Sequence, residues 1–337
     1  MSTEASTAAR PMLAAGWQTQ LKDAIRDLDE LLAALELERD DLAALAPASN
    51  DFPLLVPRSF VARMRKGDPR DPLLRQVLPL SVEALPVPGF GQDPLAEQQC
   101  ARDGVLEKYR GRALLITTAA CPIHCRYCFR RHFPYGEQNA ARNDWADAVE
   151  RLAGDAGIEE VILSGGDPLS LSNRRLGTLL DRLASLEHLT TLRVHSRYPI
   201  VLPARIDAGL LELLRRTRLH VVVVVHCNHA REIDAEVETA LAALRRAGAV
   251  MMNQSVLLAG VNDSVEALAA LSRRLFECGT LPYYLHELDA VAGAAHFDVP
   301  HARGVELIGA LRASLPGYLV PRLVREAPGA FSKIILA

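Results

Sequence analysis

Three cysteines stand within eight residues, Cys121-Pro-Ile-His-Cys125-Arg-Tyr-Cys128, in a C-x3-C-x2-C spacing crowded by basic and aromatic side chains. The chain has six cysteines in 337 residues, which is no disulfide scaffold. Cys100, Cys227 and Cys278 are scattered and read as small buried hydrophobes. Clustered thiols instead suggest metal binding or redox chemistry. A structural zinc site is closed by four ligands, so zinc would need His124 or His132 beside the three thiols. An iron–sulfur cube on three thiolates leaves one iron without a protein ligand, open to chelation by a substrate or cofactor. Two further stretches could do chemistry. Ser164-Gly165-Gly166-Asp167 permits close backbone approach, although an ordinary strand-to-helix turn has the same composition. Lys333 stands four residues before the last, where a lysine is ordinarily a solvated tail.

Positioning these residues requires a scaffold, and a rhythm begins near residue 113. Strands are expected over 113–118, 160–164, 191–197, 219–226, 249–258 and 282–288, separated by amphipathic helical stretches. Asn143 or Asp144 suits the cap of the first such helix, and Gly248 and Gly279 suit left-handed helix stops. Apolar strands each followed by a helix argue for parallel pairing with both faces covered. Six units fit a (β/α) barrel or an open part of one, with a doubly wound sheet as the alternative. Polar residues close nearly every strand: Cys121, Ser164 to Asp167, Ser196 and Arg197, His226, Gln254, and His286 to Asp289. Barrel enzymes draw on several strand ends at once, whereas a doubly wound sheet uses one switch-point crevice. Before this core, Leu21, Ile25, Leu28, Leu31, Leu32 and Leu35 recur at helical spacing, and proline-broken short helices follow. The expected organisation is a helical N-terminal region over 1–100, a core over 101–315 and a closing segment over 316–337.

Composition narrows the class. With 49% hydrophobic and 23% charged residues and a net charge of -3, the chain reads as a soluble globular protein. The mildly acidic balance argues against nucleic acid as a partner. No charged n-region with an apolar core opens the sequence, and the longest apolar run, near Val221–Val225, is too short for a bilayer. A cytoplasmic location is the default expectation, with no membrane partner.

The cysteine spacing directly after the first strand of a β/α series resembles the radical S-adenosylmethionine (SAM) superfamily. That resemblance implies an α/β fold, a partial (β/α)6 radical SAM barrel, with a 4Fe-4S cluster on Cys121, Cys125 and Cys128 and SAM on the open iron. It implies cleavage of SAM by one electron, from a donor such as flavodoxin or ferredoxin. Ser164, Gly165, Gly166 and Asp167 resemble the glycine-rich SAM segment, and His226 and Gln254 fall in stretches similar to those lining the SAM site. The chain end, with Glu326, Ala327, Pro328, Gly329 and Lys333 in order, is similar to the pyridoxal 5′-phosphate (PLP) motif of the lysine 2,3-aminomutases. Ala330, Phe331 and Ser332 depart from that family's glycine run.

The resemblance spans about residues 100–337 and implies site residues one by one. Lys333 would hold PLP, Lys108 and Arg112 its phosphate, Arg130 the substrate carboxylate, and Asp289 with Glu326 the distal amine of L-lysine. Glu326 in place of an aspartate, the short "IILA" ending, Ser264 at a zinc-cysteine position and "CRYCFRRHFPY" most resemble the branch that makes (R)-β-lysine for elongation factor P. This implies an isomerase functionally linked to the elongation factor P lysylation enzyme. The alternatives are an aminomutase acting on another amino acid, a SAM enzyme without PLP, or a zinc-binding scaffold without catalysis.

Overall fold

The computed structural model describes residues 16–42, 45, 52–135 and 140–337, apart from the side chains of residues 99–102, 108, 140 and 142. The side chains of Cys100 and Lys108 thus lie outside the described residues. One ten-stranded sheet organises the chain: β1 (Ala101–Arg102), β2 (Val105–Tyr109), β3 (Arg112–Thr118), β4 (Glu160–Gly165), β5 (Thr191–Ser196), β6 (His220–His226), β7 (Val250–Val256), β8 (Leu281–His286), β9 (Arg322–Arg325) and β10 (Ile334–Ile335). The strands lie side by side in chain order, with β1 and β10 as the two edges. β3 to β8 are the six expected strands, all parallel, with helices in the connections. The partial (β/α)6 barrel is therefore present. Its flanks carry what the apolar rhythm did not announce: an antiparallel β1–β2 ribbon beside β3, and β9, parallel to β8, with β10 antiparallel to it.

Burial alternates along β5 and β7 with the period of two that a pleat imposes, while β3, β4 and β6 hold runs of buried residues. On β5, Leu192 and Val194 are buried, while Arg193 and His195 are half-buried. On β7, Met251, Asn253 and Ser255 are buried, while Met252, Gln254 and Val256 are half-buried. The buried set packs with the helices, whose Leu176, Leu180, Leu210 and Leu244 join Val161, Leu192 and Val223 in one apolar core. Each such side chain withdrawn from water contributes about 1.5–3 kcal/mol before entropy is counted. Trp17, Ile25, Phe60 and Leu73 of the N-terminal region belong to the same core.

Two local expectations need correction. Residues 17–35 do not form one continuous helix; Trp17–Lys22 and Leu28–Ala34 are separate. Asp27 accepts a hydrogen bond from the Glu30 N–H at 3.0 Å, starting the second helix afresh. Ile25, between them, exchanges backbone hydrogen bonds with Val56 at 2.8 and 2.9 Å. The helix Ala146–Ala153 begins after the fully buried Trp145, which sits at φ 63. Asn143 still serves it, accepting from the Ala146 N–H at 3.2 Å. Gly248 and Gly279 do stop their helices, at φ 96 and 71.

Candidate active site

The cysteine loop leaves the C-terminal end of β3 and is gripped by the N-terminal region. The His124 N–H donates to the Leu55 carbonyl at 3.0 Å, and the Arg126 N–H to the Gln76 carbonyl at 2.9 Å. His124 Nδ1 lies 2.8 Å from the Pro53 carbonyl, and its ring stacks on Phe52. Arg126 forks onto Glu83, with Nε 2.8 Å from one oxygen, and Arg131 donates to the same carboxylate at 2.9 Å. All three side chains are almost wholly buried. His132 Nε2 is 3.2 Å from the Ala292 carbonyl. Both histidines considered as fourth zinc ligands thus spend a ring nitrogen on the backbone. Among the described residues, no three His, Cys, Asp or Glu side chains converge closely enough for a single metal ion.

Burial, and then the neighbouring thiols, push the Cys121 thiol well above its ordinary range and Cys128 up to about 11. Cys121 and Cys128 therefore lie within the influence of the neighbouring sulfurs. Thiols in such a place become ligands only when a metal's positive charge deprotonates them.

The glycine segment holds this loop from below. The Gly166 N–H donates to the Thr118 carbonyl at 2.7 Å and the Asp167 N–H to the Ala120 carbonyl at 2.8 Å. A Cβ on Gly166 would sit 2.5 Å from the Ala120 oxygen, and Gly165 adopts φ +107 with similar crowding. The close approach that glycine permits here is between two strand ends of the chain itself. The Asp167 carboxylate is also spent internally: it accepts from Ser196 Oγ at 2.8 Å, the Arg197 N–H at 2.7 Å and the Leu169 N–H at 3.0 Å. Burial outweighs these bonds and raises its pKa to about 6.

Inside the barrel, register sets the neighbours. Ser164 belongs to the same ladder as Ile116, and His226, Gln254 and Tyr284 stand side by side on β6, β7 and β8. His195, His226 and His286 each carry a buried Nε2 without a hydrogen-bond partner. Burial depresses all three, His226 to about 3 and the other two well below the ordinary range. They are neutral donors and acceptors rather than cations.

Arg130 spans the space between the thiols and the chain end. Its Nε and Nη2 hold Glu97 at 2.7 and 3.0 Å, and Nη1 donates to Ser164 Oγ at 2.9 Å. The fork expected to be open for a substrate carboxylate is thus engaged on its Nε–Nη2 edge. Glu97's charge raises the arginine's pKa further, and Glu326 contributes to the same field. Lys333 donates to Glu326, each about 17% exposed, and its Nζ lies 5.8 Å from the Tyr284 ring centre. Its charge is felt by His195 and His286 on two interior strands. Lys333 therefore faces the barrel, and the carboxylate of Glu326 is shared with it. Arg112 stacks over Tyr109 at 4.9 Å and keeps a buried, unpartnered Nε. Asp289 sits half-buried in the loop after β8, which is tied to the N-terminal region by the Gly91 N–H donating to the Ala290 carbonyl at 2.9 Å.

Residues 115–271 match the Radical SAM superfamily. L-lysine 2,3-aminomutase of Escherichia coli K12 is 48% identical, with 94% of this chain and 93% of that protein aligned. The chain belongs to the L-lysine 2,3-aminomutase family. The Haemophilus influenzae member is 43% identical over 95% of both chains, and the Clostridium subterminale member 32% identical over 94% of this chain and 76% of its own. As a member of this family the chain is an isomerase of the radical SAM class, and its radical SAM domain implies a 4Fe-4S cluster and SAM. The chemistry of the donor set fits: three adjacent thiols at one strand end, with both nearby histidines turned to backbone carbonyls. The unpartnered nitrogens of Arg112 and the three interior histidines fit a polar, anionic group lodged in the barrel.

Sequence reasoning missed Glu97, His195 and Tyr284, and it named Arg197 only as one of the polar residues that close the strands. His195 and Tyr284 had a detectable signal, because both fall on the interior parity of expected strands. Glu97 had none, since its partner Arg130 is 33 residues away.

Proposed function

We propose that this chain is an L-lysine 2,3-aminomutase that uses a 4Fe-4S cluster, SAM and PLP to make (R)-β-lysine for the modification of elongation factor P. The observation that carries the reading is the placement of Lys333, which pairs with Glu326 and lies 5.8 Å from the ring of Tyr284, the neighbour of Gln254 across β7 and β8. Arg130 follows Cys128 by two residues and reaches Ser164 Oγ at the end of β4, and the charge of Glu326 acts on it. Glu326 in place of an aspartate and the stretch from Cys125 to Tyr135 support the elongation factor P branch through their resemblance to it.

In this reading Cys121, Cys125 and Cys128 hold the cluster, while Ser164, Gly165, Gly166, His226 and Gln254 line SAM. Asp167 acts by fixing the glycine segment. Lys333 binds PLP, and Lys108 and Arg112 meet its phosphate. The bound groups together supply a radical start and a conjugated ring able to share an unpaired electron. The chain's own residues do the rest. Arg130 meets the substrate carboxylate through Nη1, exchanging the bond to Ser164 Oγ, while Glu97 fixes its other edge. Asp289 and Glu326 compensate the desolvated distal ammonium. The neutral interior histidines add hydrogen bonds without bringing a second cation to the substrate's nitrogen.

Anaerobic, reductive turnover with isotopically labelled L-lysine, followed by chiral analysis, tests the proposal. (R)-β-lysine is the expected product. Formation of a β-amino acid from arginine or glutamate but not lysine would overturn the substrate, and a colourless zinc-loaded protein would overturn the cluster.

A further inference from the structure

Arg197 stands just past the end of β5 and is 6% exposed. Its main-chain N–H is held by Asp167 at 2.7 Å. Its Nη2 donates to Gln76 Oε1 at 2.7 Å and lies 3.4 Å from Glu232 Oε2. Those partners are themselves locked. Gln76 Nε2 donates to Glu232 Oε1 at 3.0 Å, and Asn228 Nδ2 donates to Gln76 Oε1 at 3.0 Å and to Tyr127 OH at 2.7 Å. Gln76, Asn228 and Glu232 are fully buried. The Phe60 and Tyr127 rings flank the guanidinium at 5.5 and 5.7 Å. With so many fixed neighbours the side chain has one orientation, and in it Nη1 donates to Cys125 Sγ.

We propose that Arg197 is a positioning residue that sets the reduction potential of the cluster through Cys125. An arginine is charged at every working pH. Adding an electron to an iron–sulfur cluster increases negative charge on its sulfurs. A fixed N–H donor and a cation on one ligating sulfur stabilise that reduced state, raising the potential. Glu232 offsets part of the effect, but it meets the guanidinium on Nη2, away from the sulfur. Burial of the whole network keeps water from screening the interaction. The inference rests on Cys121, Cys125 and Cys128 holding the cluster.

The test is a redox titration of reconstituted full-length protein followed by electron paramagnetic resonance, on wild type, R197Q, R197K and E232Q. At the wild-type midpoint, R197Q is expected to lower the reduced-to-oxidised ratio about tenfold, equal to about 59 mV for a one-electron couple. R197K keeps the charge but not the planar fork and should fall between. E232Q removes the offsetting charge while retaining the arginine, so its midpoint should rise. It remains informative if R197Q fails to take up iron. An unmoved midpoint in fully loaded R197Q, with or without weakened SAM binding, overturns the proposal, as does a midpoint in E232Q that stays put or falls. A wild-type protein without iron and sulfide would instead sink the cluster assignment beneath it.

Discussion

Lys333 is held by an ion pair to Glu326 at the barrel mouth. Lys333→Ala should abolish turnover and the PLP absorbance of the loaded protein; retention of both would contradict the assigned role. The three interior histidines make a different prediction. Their folded pKa values lie below the ordinary value near 6.5, so each withholds a proton that the unfolded chain would bind. Their stabilising contribution is complete above about pH 6.5 and declines as the pH falls, by about 1.4 kcal/mol per unit for each histidine. Denaturant midpoints between pH 8 and 5 should fall accordingly, and His286→Gln should flatten the decline. At this scale the sequence was most legible where a motif is contiguous. Cys121 to Cys128 and Glu326 to Lys333 could be read directly, whereas Glu97 and Arg197 act on partners 33 and 72 residues away in the chain. No local pattern announces such pairings.

Two elements place the thiols. One is the staple between 118–120 and 164–167, which needs glycine because the strand ends nearly touch. Gly166→Ala should cost about 1–3 kcal/mol by overpacking and should also reduce iron content per chain, as measured by thermal melting and metal analysis. The other is the N-terminal clamp, in which one buried carboxylate, Glu83, pairs with both Arg126 and Arg131. Glu83→Ala leaves two guanidinium groups uncompensated and should cost about 3–5 kcal/mol, with parallel loss of cluster loading. An unchanged melting temperature would show that the pairing contributes nothing. The strands β3 to β8 were legible because apolar residues either run through them, as on β4 and β6, or alternate along them, as on β5, and a helical stretch follows each. The ribbons at the sheet edges were not: β1, β9 and β10 have two to four residues, too few for a periodic signal. The split in the first helical stretch was hidden for another reason. Its leucines kept helical spacing across a break created by the side chain of Asp27.

At the scale of the molecule, the N-terminal helices and the strands share one apolar core, so the clamp and the barrel should unfold together. Denaturation followed by tryptophan fluorescence and by far-ultraviolet circular dichroism should give coincident transitions, since Trp17 reports on the first region and Trp145 on the second. The order of the sheet carries a practical consequence. Lys333 is set by a two-residue ladder, Ile334 against Arg325 and Ile335 against Val324, continued by the Leu323 N–H donating to the Ala337 carbonyl at 3.0 Å. A purification handle fused behind Ala337 would tug on that seam, so, on the proposed role of Lys333, a protein tagged there should lose PLP occupancy that an identically prepared, front-tagged sample keeps.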